Sequence, residues 1–416
     1  MTEGDPSPES ASRVAVELVA RASYGRLLAW LAYQWRDLAA AEDALSTALA
    51  KALALWPQQG VPQLPDAWLL SVAKRELLQV ARRERLHRSP EVQALLEDDA
   101  AWVEAPTIPD DRLKLLFVCA HPAIDAGIRP ALMLQAVLGL DAQVVAQAML
   151  TSPAAMAQRL VRAKQKIRIA RLRFEEPGAD ELPGRLQAVL EAIYAAYGLG
   201  WDALDGGEAA IVGLRSEALF LGDLVCSLLP ESAEALGLMA MMLFCEARTA
   251  ARLDARGDFV PLPEQDTALW DRDMIARAER CLWRASGLES PGPFQLEAAI
   301  QSAHCQRLFG GDTPWGAVAD LYRQLLALAP TLGAEVAHAL AWARAGESER
   351  ASELLLSVDP ARRANYQPYW VAKAYVERLS GEQEMAVHSL TQAVGLTSSP
   401  AARRYLLGQL AALTKA

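Results

Sequence analysis

Residues 141–168 read Asp141-Ala-Gln-Val-Val-Ala-Gln-Ala-Met-Leu-Thr151-Ser-Pro153-Ala-Ala-Met-Ala-Gln-Arg-Leu-Val-Arg-Ala-Lys-Gln-Lys-Ile-Arg168. Asp141 is placed to cap a short helix whose inner face carries Val144, Val145 and Ala148. Thr151-Ser-Pro153 makes a tight turn. The helix after it sets Met156, Leu160, Ala163 and Ile167 on one face, with Gln158, Arg159, Arg162, Lys166 and Arg173 on the others. From Ala142 to Phe174 there are seven basic residues and no acidic one. A solvated helix face ordinarily mixes both signs. A short helix packed across a longer, purely basic one has the geometry of a helix-turn-helix, whose second helix enters the major groove while its cations neutralise phosphates.

Outward from this pair the chain reads as helix nearly throughout, an all-α protein. Val14–Trp35 carries apolar residues at helical spacing. Ala41–Trp56 is a second helix that Pro57 should stop, and Asp66 is expected to cap a third, running to about Arg85. Residues 89–109 form a connector rich in Glu and Asp. Further helices are expected over 110–120 and 129–138. The run Glu-Glu-Pro-Gly-Ala-Asp-Glu-Leu-Pro over 175–183 marks a domain boundary. Arg252–Pro263 is the best candidate for a hairpin-like loop. Gly346-Glu-Ser-Glu-Arg-Ala351 and Gly381-Glu-Gln-Glu-Met-Ala386 are an internal match 35 residues apart. That spacing approximates the period of tetratricopeptide helix–turn–helix repeats.

The 416 residues carry a net charge of −10, unevenly spread. Residues 1–174 balance at +2 and residues 175–416 at −12. A second basic cluster, Lys74–Arg88, holds six Lys/Arg against Glu76 and Glu84. Two basic patches on a near-neutral half suit phosphate contacts, and the acidic half does not. The apolar run Ala235–Cys245 is too short to span a bilayer, so no membrane association is expected. The first residues show no secretory signal. Five scattered cysteines suit a reducing cytoplasm better than a disulfide framework. No metalloprotease, Walker A, nucleophile-elbow or dinucleotide motif occurs; the reading is non-enzymatic, with no cofactor and no metal. Cys119 and His121 read as helix-end packing. The aspartates at 254, 258, 266, 271 and 273 read as caps and turn formers, and Trp270, Trp283, Trp315, Trp342 and Trp370 as fillers between helices.

Asp110-Asp-Arg-Leu-Lys-Leu-Leu-Phe-Val-Cys-Ala-His-Pro122 followed by Met156-Ala-Gln-Arg-Leu-Val-Arg-Ala-Lys-Gln-Lys-Ile167 resembles the extracytoplasmic-function-type RNA polymerase sigma factors that carry a long helical C-terminal extension. Ala41-Glu-Asp-Ala-Leu45, Trp56-Pro57 and Ala67-Trp-Leu-Leu70 sit where that family has region 2. Arg252-Leu-Asp254, Gln265-Asp266, Trp270-Asp271 and Gly292-Pro-Phe-Gln-Leu296 match the extension. The resemblance implies region 2 over 1–88, an acidic linker over 89–109, region 4 over 110–176, and a helical extension over 177–416 that is tetratricopeptide-like at least over 315–416. It implies core RNA polymerase and promoter DNA as partners, with the extension controlling activity through a protein partner or an intramolecular contact. The −35 contacts then fall to Gln158, Arg159, Arg162, Lys164, Lys166 and Arg168, with Gln158 the best base reader. The −10 contacts fall to Trp68, Lys74, Arg75, Arg82 and Arg83, and core-polymerase contacts to Glu42, Asp43 and Leu45.

The chain departs from the family pattern. Arg75 and Gln79 stand where an Asn and an Asp are common, with Glu76 between them. Val144 replaces a Glu, and Ala154 and Ala155 stand where a Thr is common. Alanine cannot donate to a base edge. Phosphate contacts survive better than base contacts, so a sigma-like adaptor that no longer reads promoters is the alternative.

Overall fold

The computed structural model describes residues 8–83, 112–149, 151–169, 178, 180–203 and 213–415. Among them there are helices and no strand; Leu253 and Phe259 form one isolated antiparallel bridge. None of these helices is long and apolar enough to cross a membrane. The chain divides into two compact units, residues 1–198 and 199–416. The division falls inside a helix, Leu182–Asp202, and not at the proline-bounded segment 175–183.

The first unit contains α1 (Pro8–Trp35), α2 (Leu38–Gln59), α3 (Pro65–Arg83), α4 (Arg112–Cys119), α5 (Arg129–Leu138), α6 (Ala142–Ala148), α7 (Pro153–Ile169) and most of α8 (Leu182–Asp202). Every residue from Leu27 to Ala32 is buried, because α1 packs against α2, α3, α4 and α5. A helix enclosed on all sides needs no polar face. Gly25 permits the closest crossing: a Cβ there would lie 1.8 Å from the Val137 carbonyl oxygen of α5. The segments expected as regions 2 and 4 therefore share one compact unit.

Two local expectations change. Pro57 lies inside α2, which continues to Gln59 and ends at Gly60 with φ +83°. In the last turn, a missing N–H costs only one bond, and the amide of Gly60 still reaches the carbonyl of Trp56 at 2.9 Å. Asp66 does not cap α3. Its carboxylate is drawn to α1, where it accepts from Ser23 Oγ at 2.8 Å and pairs with Arg26. By contrast, Asp37 and Asp141 do cap. Asp37 accepts from Ala40 N–H, and Asp141 accepts from the amides of Gln143 and Val144 at 2.8 and 2.9 Å.

The second unit stacks α9 (Leu214–Leu228), α10 (Ala233–Glu246), α11 (Arg272–Ser286), α12 (Pro293–Cys305), α13 (Trp315–Leu328), α14 (Leu332–Arg344), α15 (Ser348–Ser357), α16 (Pro360–Arg363), α17 (Gln367–Leu379), α18 (Gln383–Leu396) and α19 (Pro400–Lys415). The apolar run of α10 is its buried centre, flanked by α9, α11 and α12. Gly237 brings α10 against the backbone of α12 at Gln295, and Glu234 caps α12 by accepting from the amides of Phe294 and Gln295, both at 3.1 Å. The internal sequence match has a structural counterpart. Gly346 and Gly381 both have positive φ and end α14 and α17. The amides of Glu347 and Glu382 each bond back to the carbonyl five residues earlier, at 2.9 Å. Ala351 and Ala386 are both fully buried in the following helices. Trp270 is buried as expected, but Trp283 is 78% exposed and fills no gap between helices.

Candidate nucleic-acid interface

The inner face of α6 and α7 is apolar, as the spacing predicts. Val144, Val145, Met156, Leu160, Ala163 and Ile167 are buried, and Ala148 is half-buried. Each large side chain stabilises the pair by roughly 1.5–3 kcal/mol through area removed from water. Ser152 leads into α7, its hydroxyl accepting from Ala155 N–H at 3.3 Å. This packing fixes the rotation of α7, and the rotation decides which cations face outward. Gln158, Arg159, Arg162 and Lys166 are exposed. Arg159 is also tethered, donating from Nη2 to the carbonyl of Gly127 at 2.8 Å. The side chain of Arg168 lies outside the described residues.

Lys164 is turned elsewhere. Its Nζ lies 2.5 Å from Glu42 Oε1 on α2, and each side chain is only 19% exposed. Two residues expected to serve different partners thus satisfy each other. Cys119 and Tyr24 adjoin this pair. Burial, reinforced by the Glu42 carboxylate, pushes both groups up, Cys119 to about 12 despite the opposing charge of Lys164. The Cys119 thiol is inert, as helix-end packing requires. His121 also serves the chain turn, its Nδ1 accepting from Ala123 N–H at 3.1 Å.

The expected −10 residues share α3. Trp68 is half-buried and meets Trp56 edge-on, ring centroids 5.5 Å apart. Lys74 sits over the Trp30 ring at 4.8 Å, which preorganises its ammonium. Arg75 and Gln79 are exposed, and Glu76 is neutralised by Lys51 at 2.5 Å. Arg82 and Arg83 belong to α3, but their side chains lie outside the described residues. Of the expected polymerase contacts, Asp43 is exposed and Glu42 is paired. Leu45 corrects the expectation: it has no exposed surface, because it faces into the helical core, and it offers nothing to a partner in this arrangement.

In the sequence Arg252 and Gln265 stand out only as positions of the family resemblance, and Trp270 as a filler between helices. The structure makes them the fastening of the loop over 252–271. Arg252 stacks on Trp201 at 3.6 Å and donates from Nη1 to its carbonyl at 2.6 Å. Arg248 and Arg307 both lie against Trp270. Gln265 is buried, with Nε2 donating to Val260 O at 3.2 Å. The signal was a dense Arg, Trp and Asp segment in an otherwise apolar half. Asp266 and Asp271 do cap, accepting from the amides of Ala268 and Met274.

The profile of a family of unknown function, DUF6596, matches residues 185–286, which include this loop. An uncharacterized protein of Rhizobium meliloti (strain 1021), R00370, is 33% identical over 385 residues, covering 90% of each chain. No solved structure matches. With that identity sustained over nearly its whole length, the chain belongs to the same family as the uncharacterized protein R00370 of Rhizobium meliloti.

Proposed function

We propose that the chain is an alternative sigma factor of the extracytoplasmic-function type, binding core RNA polymerase and directing promoter-specific initiation in the cytoplasm without itself catalysing a reaction. The observation that carries the reading is the α6–turn–α7 pair. Its apolar face is buried, and its outer face presents Gln158, Arg159, Arg162 and Lys166 with no acid on α7. Such a face contacts phosphates through its cations and one base edge through Gln158. The repeated helical hairpins of the second unit support a tetratricopeptide-like extension that regulates this activity. The test is run-off transcription with core polymerase and the full chain carrying Arg162→Glu and Lys166→Glu. Loss of promoter-dependent product with retained co-elution on core polymerase supports the reading. Undiminished product refutes the assignment of α7.

The Lys164–Glu42 pair favours a second reading, a sigma-like adaptor acting through protein contacts. It engages one expected phosphate contact and one expected polymerase contact at once. A well-folded chain that drives no promoter and does not co-elute with core polymerase would establish the adaptor instead.

A further inference from the structure

In the second unit, residues 257–265 are fastened across one face of the helical stack. At one end Arg307 donates to the carbonyls of Leu262 and Gln265 at 2.6 and 2.9 Å. At the other, Arg404 of α19 pairs with Asp258 and donates to Gly257 O at 2.8 Å; the Tyr405 hydroxyl of α19 reaches back to the first end, donating to Glu264 at 3.1 Å. Phe259 meets the Tyr405 ring edge-on at 6.0 Å. The segment therefore faces residues of α13, α14, α17 and α19 across a shared cavity. What it leaves beneath is a cavity of about 670 Å³, lined by the segment itself and mainly by those four helices, with His304 of α12 and Leu390 of α18 completing the wall. That volume suits a small molecule.

The lining has a definite chemistry. Trp315, Tyr322, Tyr375 and Tyr405 supply aromatic walls. Arg344 and Arg378 both lie against the Tyr375 ring, at 4.3 and 5.4 Å, and Arg344 also approaches Trp315 at 5.8 Å. Neither has a carboxylate within ion-pair distance among the described residues. Glu264 is the acid of the lining, and it is engaged by Tyr405. The cavity thus holds two preorganised guanidiniums against one occupied carboxylate, between aromatic rings. Planar guanidiniums stacked on tyrosine lose little freedom on gripping an oxyanion.

We propose that this cavity binds a small aromatic anion, its ring body between Trp315, Tyr375 and Tyr405 and its acidic group on Arg344 and Arg378. The proposal stands on the second unit alone and is independent of whether α7 reads DNA. The full chain is titrated with two fluorescent probes that differ in charge, 1-anilinonaphthalene-8-sulfonate and the uncharged N-phenyl-1-naphthylamine. A single saturable site for the sulfonate is expected. Arg344→Met should weaken the sulfonate by about tenfold while leaving the neutral probe unchanged, the loss of one charge-assisted contact. Ala337→Trp, which fills the cavity, should abolish both. If Arg344→Met does not fold, Arg378→Met provides the same comparison from an exposed position. Equal sulfonate affinity in the charge variants, binding that survives Ala337→Trp, or no saturable binding to the parent chain each overturns the proposal.

Discussion

Gly25→Ala sets two opposing effects against each other. In an exposed helix the change stabilises by about 1 kcal/mol, because alanine loses less backbone freedom. Here the new methyl would lie 1.8 Å from the carbonyl oxygen of Val137 and 2.8 Å from its carbon. Non-bonded contacts to carbon settle near about 3.5 Å, so α1 and α5 must part by well over an ångström. The obstacle is backbone, which cannot rotate away as a side chain does. Overpacking costs about 1–3 kcal/mol, and the rigid neighbour places the cost at the upper end. After the propensity gain is subtracted, the net loss is roughly 1–2 kcal/mol. That corresponds to a fall in Tm of about 3–6 °C for a unit of this size. Thermal unfolding followed by tryptophan fluorescence reads it, with Trp30, Trp35, Trp56 and Trp68 reporting on this unit. Gly198→Ala is the control, since nothing lies within 4 Å of a Cβ there; it should leave Tm unchanged or raise it. A rise in Tm for Gly25→Ala would refute the close crossing and leave propensity in command.

Lys164→Met strands the half-buried Glu42 and should cost roughly 1.5–3 kcal/mol, the range of hydrogen bonds to charged groups. Glu42→Gln in the same chain should return part of that loss, and a double-mutant cycle in urea without coupling would count against the pair. His304 is held down to about 3 by burial, then by Arg248 and Arg307. Its folded pKa lies below its unfolded value near 6.5, so stability falls as pH falls from about 6.5 toward 3, by about 1.4 kcal/mol per pH unit. His304→Gln should flatten the Tm profile between pH 7 and 5.5, leaving the contributions of His338 and His121, which burial also depresses; an unaltered slope would sink the assignment. Glu234→Ala removes the carboxylate that caps α12 and should cost about 1 kcal/mol, read as a lower urea midpoint at constant m. No change would mean that water caps α12 as well as the carboxylate does.

The sequence was most legible where one periodicity governed. Met156, Leu160, Ala163 and Ile167 follow a strict helical spacing, and all four are buried. Asp141 stands before an apolar helix and caps it. The glycines at 346 and 381 punctuate helices through a conformation that disfavours other residues, so their repetition revealed the hairpins. Legibility failed where tertiary partners competed with local rules. Asp66 was the right residue type for a cap, yet Arg26 and Ser23 took its carboxylate. The family resemblance implied Leu45 as a polymerase contact, while its helix rotation sends it into the core. The cavity could not be read from spacing at all, because its lining comes from six helices and a loop that meet only in the fold.

The distribution of charge acquires a different sense once the pairs are known. Lys164 and Glu42 are neighbours of opposite sign from segments to which the family resemblance gives different tasks. Such a pair is most stable when nothing else competes for either member, and a phosphate approaching Lys164 must compete with a carboxylate held at 2.5 Å. The exposed cations Arg162 and Lys166 face no such rival in the described contacts, and on the proposed function a first encounter with DNA would fall to them. On that reading, neutralising Glu42 would release Lys164. Glu42→Gln alone should steepen the salt dependence of DNA binding by the full chain, because a further cation becomes available to displace counterions. A slope identical to that of the parent chain would show that Lys164 never leaves its partner, and would leave α7 with Arg159, Arg162 and Lys166 as its phosphate contacts among the described side chains.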